Sequence, residues 1–296
     1  MTPDDILSHS ARALTPPQRK AYFDDGYLLV ERAVDDDWLS KLRDGVATLV
    51  ERSREISKSD AVFDLEAGHT AQSPRLRRVS NPCDQDAVFW SFLTDSPLVD
   101  ILADVLGPNL KFYQSKLNFK WQKGGAEVKW HQDVPFFPHT NDAVLTVGVY
   151  LEDCGAEQGP VMVVPGSHKG EIFNHYDENG TWTGDIQPGD IHRVDVEKAV
   201  ELCGPAGSIT LHNYRAVHGS RPNLSGRGRP LLLNVVSAAD AMPYTPNALK
   251  SRYEQNIIAG AQGQWAHHEV GHYLIPPDWS GGYTSIFALQ QGEDAG

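Results

Sequence analysis

Val128-Lys129-Trp130-His131-Gln132-Asp133-Val134-Pro135 sets an imidazole and a carboxylate two residues apart in a stretch that reads as a β-strand. Side chains at i and i+2 of a strand leave the same face, so His131 and Asp133 can reach one ion together. A second histidine from a neighbouring strand completes a two-histidine, one-carboxylate set. Such a set suits ferrous iron with positions left open for a co-substrate and O2. An isolated H-x-D also arises by chance, and its weight comes from the parts the rest of the chain supplies.

Around this stretch the side-chain period is two. A long strand is expected over 110–123, with Phe112, Gln114, Lys116, Asn118 and Lys120 on one face and Tyr113, Leu117, Phe119 and Trp121 on the other. Gly124-Gly125 turns it into the strand carrying His131. Further strands are expected at 143–151, 160–164, 191–196, 207–217 and 230–237, separated by turn-rich segments such as 152–159 and Pro165-Gly166-Ser167-His168. The N-terminal third reads differently. Thr15 caps a short helix with Pro16 and Pro17 in its first turn and Gly26 at its stop, and a strand follows at 27–31. Asp35-Asp36-Asp37 opens a helix to about Ile56, with Trp38, Leu42, Val46 and Leu49 at helical spacing.

Residues 57–82 read as irregular, with Arg75, Arg77 and Arg78 in a solvated loop; receiving an anionic substrate group is the lesser alternative for these arginines. A helical region spans about 84–106, interrupted near Pro97 and closed by Gly107. Beyond residue 241 a helix is expected at 247–259, then an aromatic, glycine-rich loop. The pattern predicts one mainly β domain over 1–296: a sandwich or jelly-roll barrel, its β core at about 110–237, with N-terminal helical support.

Composition narrows the partners. Of 296 residues 40% are hydrophobic and 22% charged, enough for a real core in an ordinary globular protein. A formal charge of −13 argues against nucleic acid and anionic membrane surfaces. No run approaches the roughly 18 apolar residues of a membrane span. Cys83, Cys154 and Cys203 are too few and scattered for a disulfide framework or zinc cluster, so a reducing, cytoplasmic setting is expected.

The missing ligand has a candidate in His218, 87 residues after His131 and followed by Gly219-Ser220; His168 and His212 are the fallbacks. Eleven residues past His218, Arg229 opens a strand, and with Ser220 it offers a carboxylate a bidentate fork plus one further donor. Arg227 and Arg221 compete for that role.

His131-Gln-Asp133, the run from Gly159 to the Pro165-Gly-Ser-His168 turn, His218-Gly-Ser220 and Arg229 together resemble the phytanoyl-CoA dioxygenase family, over roughly residues 20–237. The resemblance implies a double-stranded β-helix in which His131, Asp133 and His218 hold Fe(II), and Arg229 with Ser220 binds 2-oxoglutarate. It also implies that Gln114, Lys116 and Asn118 reach into the site. The expected reaction is decarboxylation of 2-oxoglutarate by O2 to succinate and CO2 with oxidation, foremost hydroxylation, of a substrate C–H bond. Asp133 favours oxygenation over halogenation, because halogenating relatives lack the carboxylate.

Two alternatives remain beside it: a degenerate jelly-roll metabolite-binding protein, and a zinc peptidase built on His268-Glu269-Val270-Gly271-His272. Gly271, Gly263 and Pro276-Pro277 speak against the helix a peptidase needs. Residues 260–283, with Trp265, Tyr273 and Trp279, are expected instead to form a lid or wall of the pocket.

Overall fold

The computed structural model describes residues 1–122, 125–283 and 285–292. In chain order its elements are α1 (Pro3–Ser8), α2 (Pro16–Asp25), β1 (Tyr27–Val30), α3 (Asp36–Arg52), β2 (Phe63–Leu65), β3 (Leu76–Ser80), α4 (Pro82–Gln85), α5 (Ala87–Asp95) and α6 (Leu98–Leu106). Then follow β4 (Leu110–Lys120), β5 (Val128–His131), β6 (Val144–Tyr150), β7 (Met162–Val163), β8 (Val200–Glu201), β9 (Ile209–Asn213), β10 (His218–Ser220), β11 (Arg229–Ala238), β12 (Ile257–Ala259) and α7 (Ile286–Gln290).

The helical signals act as expected. Thr15 and Gln18 form a reciprocal cap on α2, and Gly26 ends it at φ 81°. That backbone conformation favours glycine, and a Cβ there would also collide with the His168 ring. Asp35 caps α3 through the Trp38 N–H.

The strands form two antiparallel sheets. The larger runs β1-β9-β6-β11-β4-β3-β2, with β12 also on β4; the smaller runs β5-β10-β7-β8. Strand parity divides the larger sheet. Leu145, Val147 and Val149 of β6 join Leu42, Leu49, Phe89, Phe92 and Leu102 in the core under the helices. Thr146, between them, faces a cavity bounded by both sheets. Burial of each such leucine or phenylalanine stabilises the fold by about 1.5–3 kcal/mol, so the helical layer fixes the sheet that carries the cavity. This is the jelly-roll arrangement. No helix among the described residues is long and apolar enough to cross a membrane.

Several expectations change. Residues 57–82 are irregular only in part: β2 and β3 extend the large sheet, with Arg78 opposite Asn118. The period-two signal was hidden because β3, Leu-Arg-Arg-Val-Ser, buries every residue, charged ones included. The segment 191–196 forms 3₁₀ turns, and 247–259 is turns ending in β12 rather than a helix. The segment 207–217 divides: β9 lies in the large sheet, a turn crosses over, and His218 begins β10 in the small one. Gly124 and Lys123 lie outside the described residues.

The parity of β4 also breaks. Its pairing to β11 shifts between Val235 opposite Gln114 and Val236 opposite Phe112, so Tyr113 is an extra residue. Such a bulge resets which face the side chains take. Phe112 joins the helix-side core, while Tyr113 packs with Val134, Phe137 and Tyr214.

Candidate active site

β5 and β10 are neighbours in the small sheet, and His131 lies directly across from His218, their ring centroids 4.1 Å apart. β5 ends at His131, and a turn rather than a strand carries Asp133 round, its carbonyl accepting the Phe136 N–H at 2.9 Å. Asp133 Oδ1 lies 3.9 Å from His131 Nε2 and 4.0 Å from His218 Nε2. One ligand atom from each residue falls within a 4.8 Å set, and all three side chains are buried.

Local hydrogen bonds aim these atoms. His131 Nδ1 meets the Lys129 carbonyl at 2.9 Å, and His218 Nδ1 meets that of Ala216 at 2.9 Å. Each Nδ1–H donating outward leaves the Nε2 lone pair pointing at the shared centre. Burial pulls both histidines below their usual range, toward the neutral form a metal needs. Burial would raise Asp133, but His212, His218 and Lys116 outweigh it and hold the carboxyl well below normal. Two neutral imidazoles and one carboxylate suit a divalent cation such as Fe(II).

Behind the carboxylate, Thr146 Oγ1 donates to Asp133 Oδ2 at 2.6 Å. His212 Nε2 stands 3.7 Å from the same oxygen, too far for a hydrogen bond, and neither of its ring nitrogens has a partner. In the sequence His212 figures only as a fallback ligand; its place beside the site follows from the same strand face as Thr210. The other fallback, His168, meets the Phe23 carbonyl at 3.2 Å and is absent from the cavity lining.

The cavity lining includes Arg229, Ser220 and Leu231 together with Arg78, Lys116 and Tyr283. Arg229 is 3% exposed, and its Nε and Nη1 have no partner. Desolvation lowers it, with Tyr150 and Cys154 acting in the opposite sense. The competitors are solvent-exposed: Arg221 pairs with Glu201 at 2.6 Å and Arg227 reaches Gln158 at 3.3 Å.

Of the β4 residues, Lys116 and Asn118 line the cavity. Gln114 is buried but not part of the lining, and Lys120 turns its ammonium to the Arg221 carbonyl. Desolvation, reinforced by Arg78 and partly offset by Asp133, holds Lys116 down at about 8.

The arginines expected in a solvated loop are the largest departure. Arg75 is half-buried and pairs with Glu66 at 2.8 Å. Arg77 pairs with buried Asp64 at 2.8 Å, while Arg78, pointing the other way, lines the cavity at 1% exposure. The wall also differs from expectation. Among the described residues of 260–283, Tyr283 alone lines this cavity, and Ile286 and Phe287 of α7 line it too. Gln290 ties α7 down by accepting the Lys129 N–H at 2.9 Å and donating to the Gly184 carbonyl at 3.1 Å. Trp265 is 85% exposed. His268 to His272 form a loop in which the Glu269 N–H donates to the Thr140 carbonyl at 2.8 Å. The helix face a zinc peptidase needs is absent there.

Gln132, between the two candidate ligands, is held on every side. Its amide donates to the carbonyls of Glu171 at 3.0 Å and Arg215 at 2.8 Å, and its Oε1 accepts the Phe173 N–H at 2.9 Å. Its backbone N–H donates to His175 Nε2 at 3.1 Å. Burial pushes His175 down to about 3 and His139 to about 4. Both folded values lie below the unfolded one near 6.5, so the unfolded chain takes up protons first as pH falls. Their stabilising contribution is therefore complete above about 6.5 and shrinks below it by up to ~1.4 kcal/mol per histidine per pH unit. Urea unfolding of the metal-free protein should show roughly 3 kcal/mol lost between pH 6.5 and pH 5 if both contribute fully. Equal midpoints at those two pH values would show that these histidines are not kept neutral by the fold.

Known proteins share this architecture and sequence. A probable alpha-ketoglutarate-dependent hypophosphite dioxygenase of Stutzerimonas stutzeri is 33% identical over 245 residues, 82% of this chain and 85% of its own. An L-proline trans-4-hydroxylase of Streptomyces griseoviridis is 30% identical over 259 residues, 80% of this chain and 92% of its own. The crystal structure of EctD from S. alaskensis with bound Fe superposes with a TM-score of 0.65 at 21% identity, covering 93% of this chain and 92% of that one. The model of the phytanoyl-CoA dioxygenase (PhyH) family matches residues 22–231. The chain belongs to that family and is a dioxygenase dependent on Fe(II) and 2-oxoglutarate.

Proposed function

We propose that His131, Asp133 and His218 hold the ferrous ion and that Arg229, with Ser220, anchors the distal carboxylate of 2-oxoglutarate, all within one domain. The reaction inserts one atom of O2 into a bond to hydrogen of a small-molecule substrate, foremost a C–H bond. The other oxygen atom enters succinate as CO2 leaves. Iron supplies the oxidising chemistry when bound.

The protein's own part is placement. The outward Nδ1–H bonds fix both imidazoles, and Thr146 holds Asp133 Oδ2 so that Oδ1 faces the ion. The apolar side chains of Phe136, Ile286 and Phe287 limit water around the reacting bond. The observation that carries this reading is the buried three-residue donor set in one cavity with Arg229, whose Nε and Nη1 have no partner among the described residues.

The test is substrate-dependent release of succinate by the Fe(II)-loaded protein with 2-oxoglutarate across a panel of small metabolites. Complete absence of Fe(II) and 2-oxoglutarate binding would overturn the assignment. Thr146→Val keeps the side chain's volume but removes the hydrogen bond to Asp133. It should weaken Fe(II) about 10–100-fold, the range for loss of a partner to a ligating group. Unchanged Fe(II) affinity in a competition titration would show that Asp133 needs no such support.

A further inference from the structure

Taking the iron and 2-oxoglutarate roles above as given, we propose that the substrate is a compact acid. Its anionic head group, a carboxylate or a phosphorus oxyanion, sits against Arg78 and Lys116. The argument begins with charge. Asp133 is the sole acid in the described lining, against three basic side chains, Arg78, Lys116 and Arg229. The ferrous ion, Asp133, the doubly charged co-substrate and Arg229 cancel one another. Both ends of 2-oxoglutarate are then used, one at the metal and one at Arg229, leaving Arg78 and Lys116 without a counter-charge.

The register keeps these two cations apart from Arg229. Arg229 is opposite Lys120 on β4, whereas Arg78 is opposite Asn118 from the far side of that strand and Lys116 is four residues from Lys120. Four residues of strand place the Lys116 backbone roughly 14 Å along from that of Lys120. The cavity thus has two cationic poles, with Asp133 and the histidines also in its lining.

Two other buried arginines are matched. Arg19 donates to three carbonyls, those of Asp104, His9 and Ile6, and Arg77 pairs with Asp64. Arg78 has the Asn118 amide oxygen at 2.9 Å and the Tyr283 hydroxyl at a long 3.5 Å, with no carboxylate within 4 Å among the described residues. Lys116 has the Phe137 ring at 5.8 Å and no hydrogen-bond acceptor among the described residues. Uncompensated cations in a shielded site are costly to the fold, and an oxyanion between them would take a guanidinium fork and an ammonium donor together. Phe287, whose ring centroid lies 5.7 Å from the Arg78 guanidinium carbon, crowds this pole, which favours a compact acid.

The test is calorimetric titration, without O2, of the Fe(II)- and 2-oxoglutarate-loaded protein. The ligands are hypophosphite, methylphosphonate and propionate, with dimethyl methylphosphonate and propionamide as uncharged counterparts. At least one acid should bind about tenfold or more tightly than any uncharged compound. Arg78→Gln and Lys116→Met should each weaken that acid about tenfold or more; in Arg78→Gln the Fe(II) and 2-oxoglutarate affinities should stay within about twofold of wild type, which also reports the fold. Arg78→Lys should recover part of the loss. Uncharged compounds binding as well as the acids would overturn the proposal, as would no acid binding while Fe(II) and 2-oxoglutarate titrate normally. So would Arg78→Gln weakening 2-oxoglutarate rather than the acid. Failure of the wild-type protein to bind Fe(II) or 2-oxoglutarate would instead overturn the function proposed above.

Discussion

His218→Ala is expected to reduce 2-oxoglutarate turnover to background while leaving the protein folded, and His131→Ala and Asp133→Ala should do the same. Each removes one of the three donors that, among the described residues, converge within 4.8 Å. Loss of a mere outer partner costs about 10–100-fold in metal affinity, so loss of a ligand should exceed about 100-fold in both Fe(II) affinity and turnover. The fold should survive the histidine changes, because β10 is held through its backbone to β5 and β7. Asp133→Ala carries a second consequence. It removes the one acid facing His212, His218 and Lys116, so crowding of potential cations joins the loss of the ligand. Fe(II) titration and succinate release on each variant decide the matter. Wild-type iron binding in His218→Ala would move the third ligand to His212, whose Nε2 lies 3.7 Å from the other carboxylate oxygen, Oδ2.

The parts of this site that were legible in the sequence are those set by short spacing. His131 and Asp133 are two residues apart, His218-Gly219-Ser220 is contiguous, and Arg229 opens a strand at once. Even there the physical reason differed, since Asp133 reaches the centre from a turn and not from a continuing strand. The helices were legible through their caps, Thr15, Asp35 and Gly26. What was hidden depends on tertiary burial. Arg77 and Arg78 look alike in sequence, yet strand alternation sends one to Asp64 and the other into the cavity. Periodicity fails for β3 because it assumes that a charged residue marks a solvent face. The bulge at Tyr113 is likewise invisible to a period of two, and it moves Phe112 to the helix side. The closing helix α7 is five residues long and owes its position to packing on β5 rather than to any propensity.

Arg229→Met is expected to raise the 2-oxoglutarate requirement by about 30-fold or more, with the Fe(II) requirement changing little. Truncating one partner of a buried charge-assisted pair costs about 2–5 kcal/mol, and a bidentate fork belongs at the strong end. The metal-free variant should meanwhile be as stable as wild type, or more so. In the unliganded protein the guanidinium is buried with Nε and Nη1 unpartnered, so an apolar side chain of similar length removes a desolvation cost while keeping the packing. Opposite movements of affinity and stability are the signature of a residue kept for binding, and a purely structural arginine would lose both together. Arg229→Lys should recover only part of the affinity, because a point charge cannot reproduce the planar fork. Arg227→Ala should leave the 2-oxoglutarate requirement unchanged, since that side chain is exposed and reaches only Gln158. Titration of 2-oxoglutarate against the Fe(II)-loaded variants, alongside urea unfolding of the metal-free ones, separates these outcomes. Damage from Arg227→Ala with none from Arg229→Met would transfer the anchor to the neighbouring loop and leave the orphaned guanidinium without a role.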